Sequence, residues 1–257
     1  MERAILRNGN VHSADGWRSV MEPVIERYSD DDIAKFFRGD AAFAQPEVYC
    51  YLESESYGYA ILLPANDVLY KYVEHLVKRP VGQPPKKPVM RYCSFVYRAQ
   101  SWDRPRRVIG KIEFHHGELF PRINFVVTNL SWSSKRVVRF YNKRGTAEQW
   151  IKEGKHAVNW TRLSCHDFTD NQVRLQLFVL AYSLGNFLRR LALPANVKHW
   201  TLTTLRDKLI KIGAKVVRHA RYVTFQLAEV AVPGDLFRMI LDRIGRFRSA
   251  PLALESG

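Results

Sequence analysis

The stretch Ile33–Pro64, IAKFFRGDAAFAQPEVYCYLESESYGYAILLP, alternates a short apolar run, a helical segment and a second apolar run. Ile33–Phe37 has the content of a short buried strand, ending at Arg38-Gly39-Asp40. Pro46 opens a helix to about Ser54, because proline lacks only an amide that the first helical turn leaves unused. Tyr59–Leu63 is the second buried strand, closed by Pro64. Strand, helix and strand at this spacing imply a βαβ unit with parallel strands and a right-handed crossover. Open α/β sheets place their ligands beyond the C-terminal ends of such strands. Asp40 stands there, and its small neighbours Gly39, Ala41 and Ala42 leave room for a metal or a phosphate. An aspartate that merely ends a strand is common, so Asp40 acquires meaning only with a partner.

Working outward, Ala4–Leu6 reads as the tail of a strand, and Ser13 as the N-cap of a helix through GWRSVMEPVIERYS. Trp17, Val20, Val24 and Ile25 form the apolar face of that helix. An apolar helix near Asp67–Val77 precedes the breaker-rich linker Pro80–Pro88, PVGQPPKKP. Residues 89–130 change in kind, with runs such as VMRYCSFVYRAQSW, RRVIGKIEFHH and RINFVVTNL, which predict an antiparallel β subdomain. A single helix is expected over Ser133–Glu153, stopping at Gly154. Helices at about 170–192 and 202–212, a strand pair within VVRHARYVTFQLAE and a last amphipathic helix over Asp235–Phe247 complete the chain.

That single helix carries Tyr141, Arg144, Glu148 and Lys155 in the run FYNKRGTAEQWIKEGK. At 100° per residue these four side chains fall within about 60° of one another. A carboxylate flanked by two cations and a phenol suits phosphate and metal chemistry. A solvated face with an Arg144–Glu148 i,i+4 pair has the same spacing.

The 257 residues carry a formal charge of +15, spread unevenly. Residues 1–74 hold 7 Lys/Arg against 13 Asp/Glu, residues 78–111 hold 10 against 1, and residues 112–257 hold 23 against 11. A chain so basic in its middle and end favours a polyanion, nucleic acid above all, over generic solubility charge, which would be evenly mixed. No apolar stretch reaches membrane-spanning length, and the first residues do not resemble a signal peptide. Cys50, Cys93 and Cys165 are far apart and odd in number, giving neither a disulfide framework nor zinc spacing and pointing to a reducing cytoplasm.

Taken in order, FFRGDAAFAQPEVYCYLESESYGYAILLPAN, a β insertion and the Tyr141/Arg144/Glu148/Lys155 helix resemble the transposases of bacterial insertion sequences. These are the DDE enzymes with a Tyr-Arg-Glu-Lys signature on a ribonuclease H-like core. The opening LRNGNVHSADGW and the downstream SCHDFTDNQVRLQLFVLAYSLGNFLRRLALP, with Asn171 and Arg174, share the likeness. The resemblance implies a mixed α+β fold: a partial ribonuclease H-like core interrupted by an antiparallel β insertion, then a C-terminal helical region with a short strand pair. Residues 1–79 would be the partial core, 80–131 the basic insertion, 132–195 the completion of the core and 196–257 an extension.

By the same resemblance the chemistry is two-metal Mg²⁺-dependent phosphoryl transfer, hydrolysis and strand transfer, at transposon ends. Asp40 would be the second carboxylate and Glu148 the third, both metal ligands. Tyr141, Arg144 and Lys155 would hold the terminal strand, Arg144 by a bidentate phosphate contact and Lys155 as a point charge. Arg104, Arg106 and Arg107 of the insertion would add DNA contacts. Trp102, in the tip QSWDRPRR, would stack on a flipped end base. The partners would be terminal inverted repeats, target DNA and a second copy in a synaptic homodimer, in the bacterial cytoplasm on the nucleoid, with no membrane.

The family's first catalytic aspartate lies on the first core strand, and no residue before Asp40 matches it. Asp15 falls at a helix start and Asp30–Asp32 in an acidic turn. The expectation is therefore an N-terminally truncated copy lacking that aspartate and the first two core strands, with Ile33–Phe37 left as an apolar edge. The alternative is a non-catalytic DNA-binding remnant acting on transposon ends or with an intact transposase; a third is a ribonuclease H-like hydrolase outside transposition. Two further groupings carry little. Glu113, His115, His116 and Glu118 alternate between faces of a strand, and sequence neighbours such as Cys165-His166-Asp167 rarely form a triad.

Overall fold

The computed structural model describes residues 2–12, 14–78, 82, 86–228 and 232–247. It divides into two compact units, residues 8–148 and residues 1–7 with 149–257, as far as these are described. The architecture is mixed α+β, with a five-stranded mixed sheet among the described residues.

In the first unit α1 (Trp17–Arg27) precedes β1 (Phe36–Gly39), α2 (Pro46–Ser54), β2 (Gly58–Leu63) and α3 (Asp67–Val77). β1 and β2 are parallel, Phe36 beside Gly58 through Gly39 beside Ile61, so the βαβ unit forms as expected. Three long strands follow: β3 (Val89–Tyr97), β4 (Arg106–Phe114) and β5 (Arg122–Thr128). They are antiparallel to one another, and β5 also pairs antiparallel with β2, giving the order β1-β2-β5-β4-β3. The three strands thus extend the βαβ sheet.

Burial explains the joining. Tyr59, Ala60 and Ile61 of β2 and Phe125, Val126 and Val127 of β5 are buried in succession, so both faces of the sheet need cover. On one face Tyr59, Ile61, Phe125 and Val127 pack against Val48, Leu52, Leu69 and Val73 of α2 and α3. On the other, Ala60, Ile109 and Val126 meet Val137 and Val138 of α4 (Ser134–Asn142). Gly110, at the centre of β4, admits α3, since a Cβ there would lie 2.6 Å from Val73 Cγ1.

Two local expectations change. Ile33 is 59% exposed and the strand begins only at Phe36, because the Ile33 amide donates to Asp31 O at 2.8 Å and holds the preceding residues in a turn. β1 is an edge strand among the described residues, and its exposed Phe36 ring packs on Trp132 and Phe140. Ser13 lies outside the described residues; the residue before α1 is Gly16, at a φ of 65°.

The second unit takes α5 (Arg144–Ala157) from Gln149 onward. It continues with α6 (Phe168–Phe187), which runs into a π-helical turn Leu188–Ala192, and α7 (Leu202–Leu205) with a second π turn Arg206–Ile210. The hairpin β6 (Ala214–His219) and β7 (Tyr222–Leu227) and the helix α8 (Gly234–Arg246) complete it. Trp160, Tyr182, Leu193, Leu202 and Ile240 anchor its core. The Glu153 carboxylate accepts from Arg189 at 3.0 Å and from the Leu202 amide at 2.8 Å, tying α5 to the π turn after α6 and to α7. Ala4–Leu6 is not a strand; it lies extended on α6, with the Leu6 amide donating to Gln172 Oε1 and Gln176 Nε2 to Ala4 O.

Candidate functional site

The helix expected over Ser133–Glu153 is two helices. α4 ends at Asn142 and α5 begins at Arg144, with Lys143 in a tight turn between them. The Lys143 amide donates to Phe140 O and the Thr146 amide to Lys143 O, both i→i−3 bonds, and Gly145 weakens the helix at this point. Tyr141 therefore ends one helix while Arg144 and Glu148 start the next. Gly154 does not stop α5, which runs to Ala157 and carries Lys155 in its last turn. The ring of Trp160 covers Gly154 so closely that a Cβ would lie 2.4 Å from it. Lys155 belongs to the second unit, whereas Asp40, Tyr141, Arg144 and Glu148 belong to the first.

Within the first unit the corner replaces the stripe with a convergence on Arg144. Its Nη2 donates to Glu148 Oε1 at 2.7 Å, and its Nη1 lies 3.8 Å from Asp40 Oδ2. Partial burial, the largest single influence, works to lower the guanidinium pKa. Tyr141, through charge and a side-chain hydrogen bond, outweighs it together with Glu148 and Asp40, so the pKa is raised. Asp40 follows β1 as the N-cap of the short 3₁₀ turn Ala41–Phe43, its Oδ1 accepting from the Ala42 amide at 3.1 Å. The Asp40 and Glu148 side chains remain 45% and 51% exposed, so solvent and ligand reach both.

The insertion residues behave differently. Trp102 is only 4% exposed and packs edge-on against Tyr49 and Tyr97, so no exposed tip ring is available for a base. Arg106, its side chain 3% exposed, is held by Glu53 and by Asp103 at 2.8 Å, and lies over the Tyr49 ring. Arg107 donates to the carbonyls of Leu130 at 2.6 Å and Trp132 at 2.8 Å, and to Ser94 Oγ. Arg104 also pairs with Glu53 but keeps 57% of its side chain exposed. Of these four, Trp102 and Arg106 face inward because β4 begins at Arg106 and lays its first side chain against α2. Burial works to raise the Glu53 pKa, but hydrogen bonds from Arg106, Arg104 and Tyr59 hold it below the ordinary value.

Exposed cations near the corner escaped the pattern reading. Arg38, two positions before Asp40, donates to Phe140 O at 3.2 Å and lies 4.9 Å over the Phe140 ring. Lys135, Arg136 and Arg139 project from α4. The alternation Arg38-x-Asp40 and the spacing Lys135/Arg136/Arg139 were the available signals.

Among the described residues no three His, Cys, Asp or Glu side chains form a metal-holding group, which includes the Glu113–Glu118 and Cys165–Asp167 groupings. Asp40 and Glu148 are hard oxygen donors of the kind Mg²⁺ takes and are open to solvent, with the Arg144 guanidinium lying against both. They do not fit a two-metal site held by three carboxylates.

No helix among the described residues is long and apolar enough to cross a membrane. Residues 1–249 match the family model described as transposase DDE domain group 1. No curated protein matches the chain.

Proposed function

We propose that this chain, which belongs to the transposase DDE domain group 1 family, carries out Mg²⁺-dependent phosphoryl transfer on the DNA ends of an insertion sequence. The observation that carries this reading is the convergence of Asp40, Tyr141 and Glu148 on Arg144. Asp40 and Glu148 would hold Mg²⁺, whose charge, when bound, supports in-line displacement at phosphorus. The Ala42 amide fixes Asp40 Oδ1 and so orients the carboxylate, leaving Oδ2 toward Arg144. Arg144 presents a planar fork that exchanges carboxylate for phosphate without change of charge. Tyr141 orients that fork. Arg38 and the α4 cations extend the phosphate track. Terminal inverted repeats, target DNA and paired copies at two ends are the partners this reading implies.

One observation favours a second reading. The guanidinium of Arg144 lies against both carboxylates and balances much of their charge, which suits a DNA-binding product that holds ends without cutting them.

The test is nicking of supercoiled plasmid with Mg²⁺ or EDTA, beside duplex binding across a salt series, for the unaltered chain, Asp40→Asn and Glu148→Gln. Nicking that needs Mg²⁺ and disappears in both variants, with binding retained, supports the first reading. Binding without nicking by the unaltered chain supports the second. Full nicking by either variant overturns the site assignment.

A further inference from the structure

α6 is apolar on more than one side. Leu175, Phe178, Val179 and Tyr182 face the core of the second unit. Val173, Leu177, Leu180, Leu184 and Phe187, with Leu191 in the π turn that follows, are each between 55% and 60% exposed. Their spacing is 4, 3, 4, 3 and 4. The five within α6 fall within about 80° around the helix axis. Such a narrow a/d stripe is the seam of a helix pair; a helix laid on a sheet shows a wider apolar face.

We infer that this stripe is the interface with a second copy of the chain, paired antiparallel through α6. In heptad terms Val173, Leu180 and Phe187 occupy d and Leu177 and Leu184 occupy a, and Leu191 follows in the π turn beyond the heptad. Turning one copy end over end about the level of Tyr182 sets Leu177 against Phe187 and Leu180 against Leu184, with Val173 toward the π turn of the other copy. Every layer is then an a residue facing a d residue, which an antiparallel pair requires. A single stripe facing itself through a twofold axis is the isologous arrangement of a closed dimer.

Charge selects the same orientation. Asp170 falls at the a position before Val173, so a parallel pair would set it against its own copy. The antiparallel pair instead brings the Asp170 end of one helix within about a turn of Arg190 in the other and opposes the helix dipoles. On the flanks, Arg174 lies beside Leu188 and Gln176 beside Arg190, and no like charges meet. The seam spans about 27 Å. Its twelve half-exposed side chains bury on the order of 1,000 Å² in total, the lower bound for a specific interface. The inference rests on helix geometry and charge and stands apart from the DNA chemistry.

Sedimentation velocity of the full chain without DNA tests it. The unaltered chain is expected to sediment as a dimer at micromolar concentration, and Leu177→Glu/Leu184→Glu as a monomer. Because both side chains are exposed, that variant should keep its far-UV circular dichroism, while its melting temperature falls only by the share that association contributed. Orientation is read by mixing differently tagged Leu180→Cys and Leu184→Cys chains, which should cross-link to each other in preference to themselves. A monomeric unaltered chain, whether its stripe is bare or takes a helix of some other protein, overturns the inference. So does a dimer that survives the double glutamate, or self-cross-linking of Leu180→Cys in preference to the mixed pair.

Discussion

Arg106 grips Glu53 with both branches of its guanidinium, Nε and Nη2 each donating to a different carboxylate oxygen at 3.0 Å. Tyr59 donates to the same carboxylate at 2.7 Å, so β4, α2 and β2 meet at one buried charge pair. Removing Arg106 leaves the Glu53 carboxylate, 12% exposed, with the largely exposed Arg104 as its remaining cation. Arg106→Ala is expected to cost about 3–5 kcal/mol, measured by urea denaturation, whereas Arg106→Met with Glu53→Met recovers most of the loss. A cost below about 1 kcal/mol, the level of a surface pair, would contradict the burial argument.

The same pair sets an acid limit. Glu53 is held below its ordinary value of 4.5 in the folded state, so its contribution is fully present above that value. As pH falls below 4.5 and through the depressed folded value, that contribution is lost, because protonation breaks the pair. Unfolding free energy measured against pH should decline there, and Glu53→Gln should be weaker at neutral pH with a shallower acid decline. Parallel pH curves for the two proteins would show that Glu53 does not carry the dependence.

Gly154→Ala opposes two effects. Alanine gains about 1 kcal/mol of helix propensity. The new Cβ, however, meets the Trp160 ring at 2.4–2.6 Å through three of its atoms, and that ring is itself buried. Overpacking of this kind costs about 1–3 kcal/mol, so a net loss is expected, visible as a lower melting temperature. A more stable variant would mean that Trp160 swings aside freely.

Arg144→Lys keeps the charge and loses the fork. Nicking should fall at least about tenfold if a bidentate phosphate contact is at work. Arg144→Ala should reduce the salt slope of duplex binding by about 1, the share of one phosphate contact. Equal nicking by the lysine variant would make Arg144 a plain counter-charge for Asp40 and Glu148.

The βαβ unit was legible because Pro46 and the apolar run Tyr59–Leu63 carry local signals that tertiary packing reinforces. Residues 89–130 showed their strands by alternation, but not their partner: the pairing of Ala60 with Thr128 depends on a non-local edge that no local pattern encodes. The break at Lys143 was hidden because a helix and a tight corner differ there by a few hydrogen bonds, while the spacing of charged side chains stays the same. Arg106 read as a DNA contact since its partner, Glu53, lies 53 residues away. Trp102 read as a tip for the same reason; its cover comes from Tyr49 on α2.

Arg107 differs from Arg106 in one respect that matters at a distance. The groups it binds are the carbonyls of Leu130 and Trp132, together with Ser94 Oγ, and these are dipoles without net charge. The guanidinium is thus occupied as a donor yet uncancelled as a charge. Its field still extends from the sheet over roughly a Debye length of about 8–10 Å. Such a residue can hasten the approach of a polyanion while giving it nothing to hold, separating the pull that gathers DNA from the contacts that keep it.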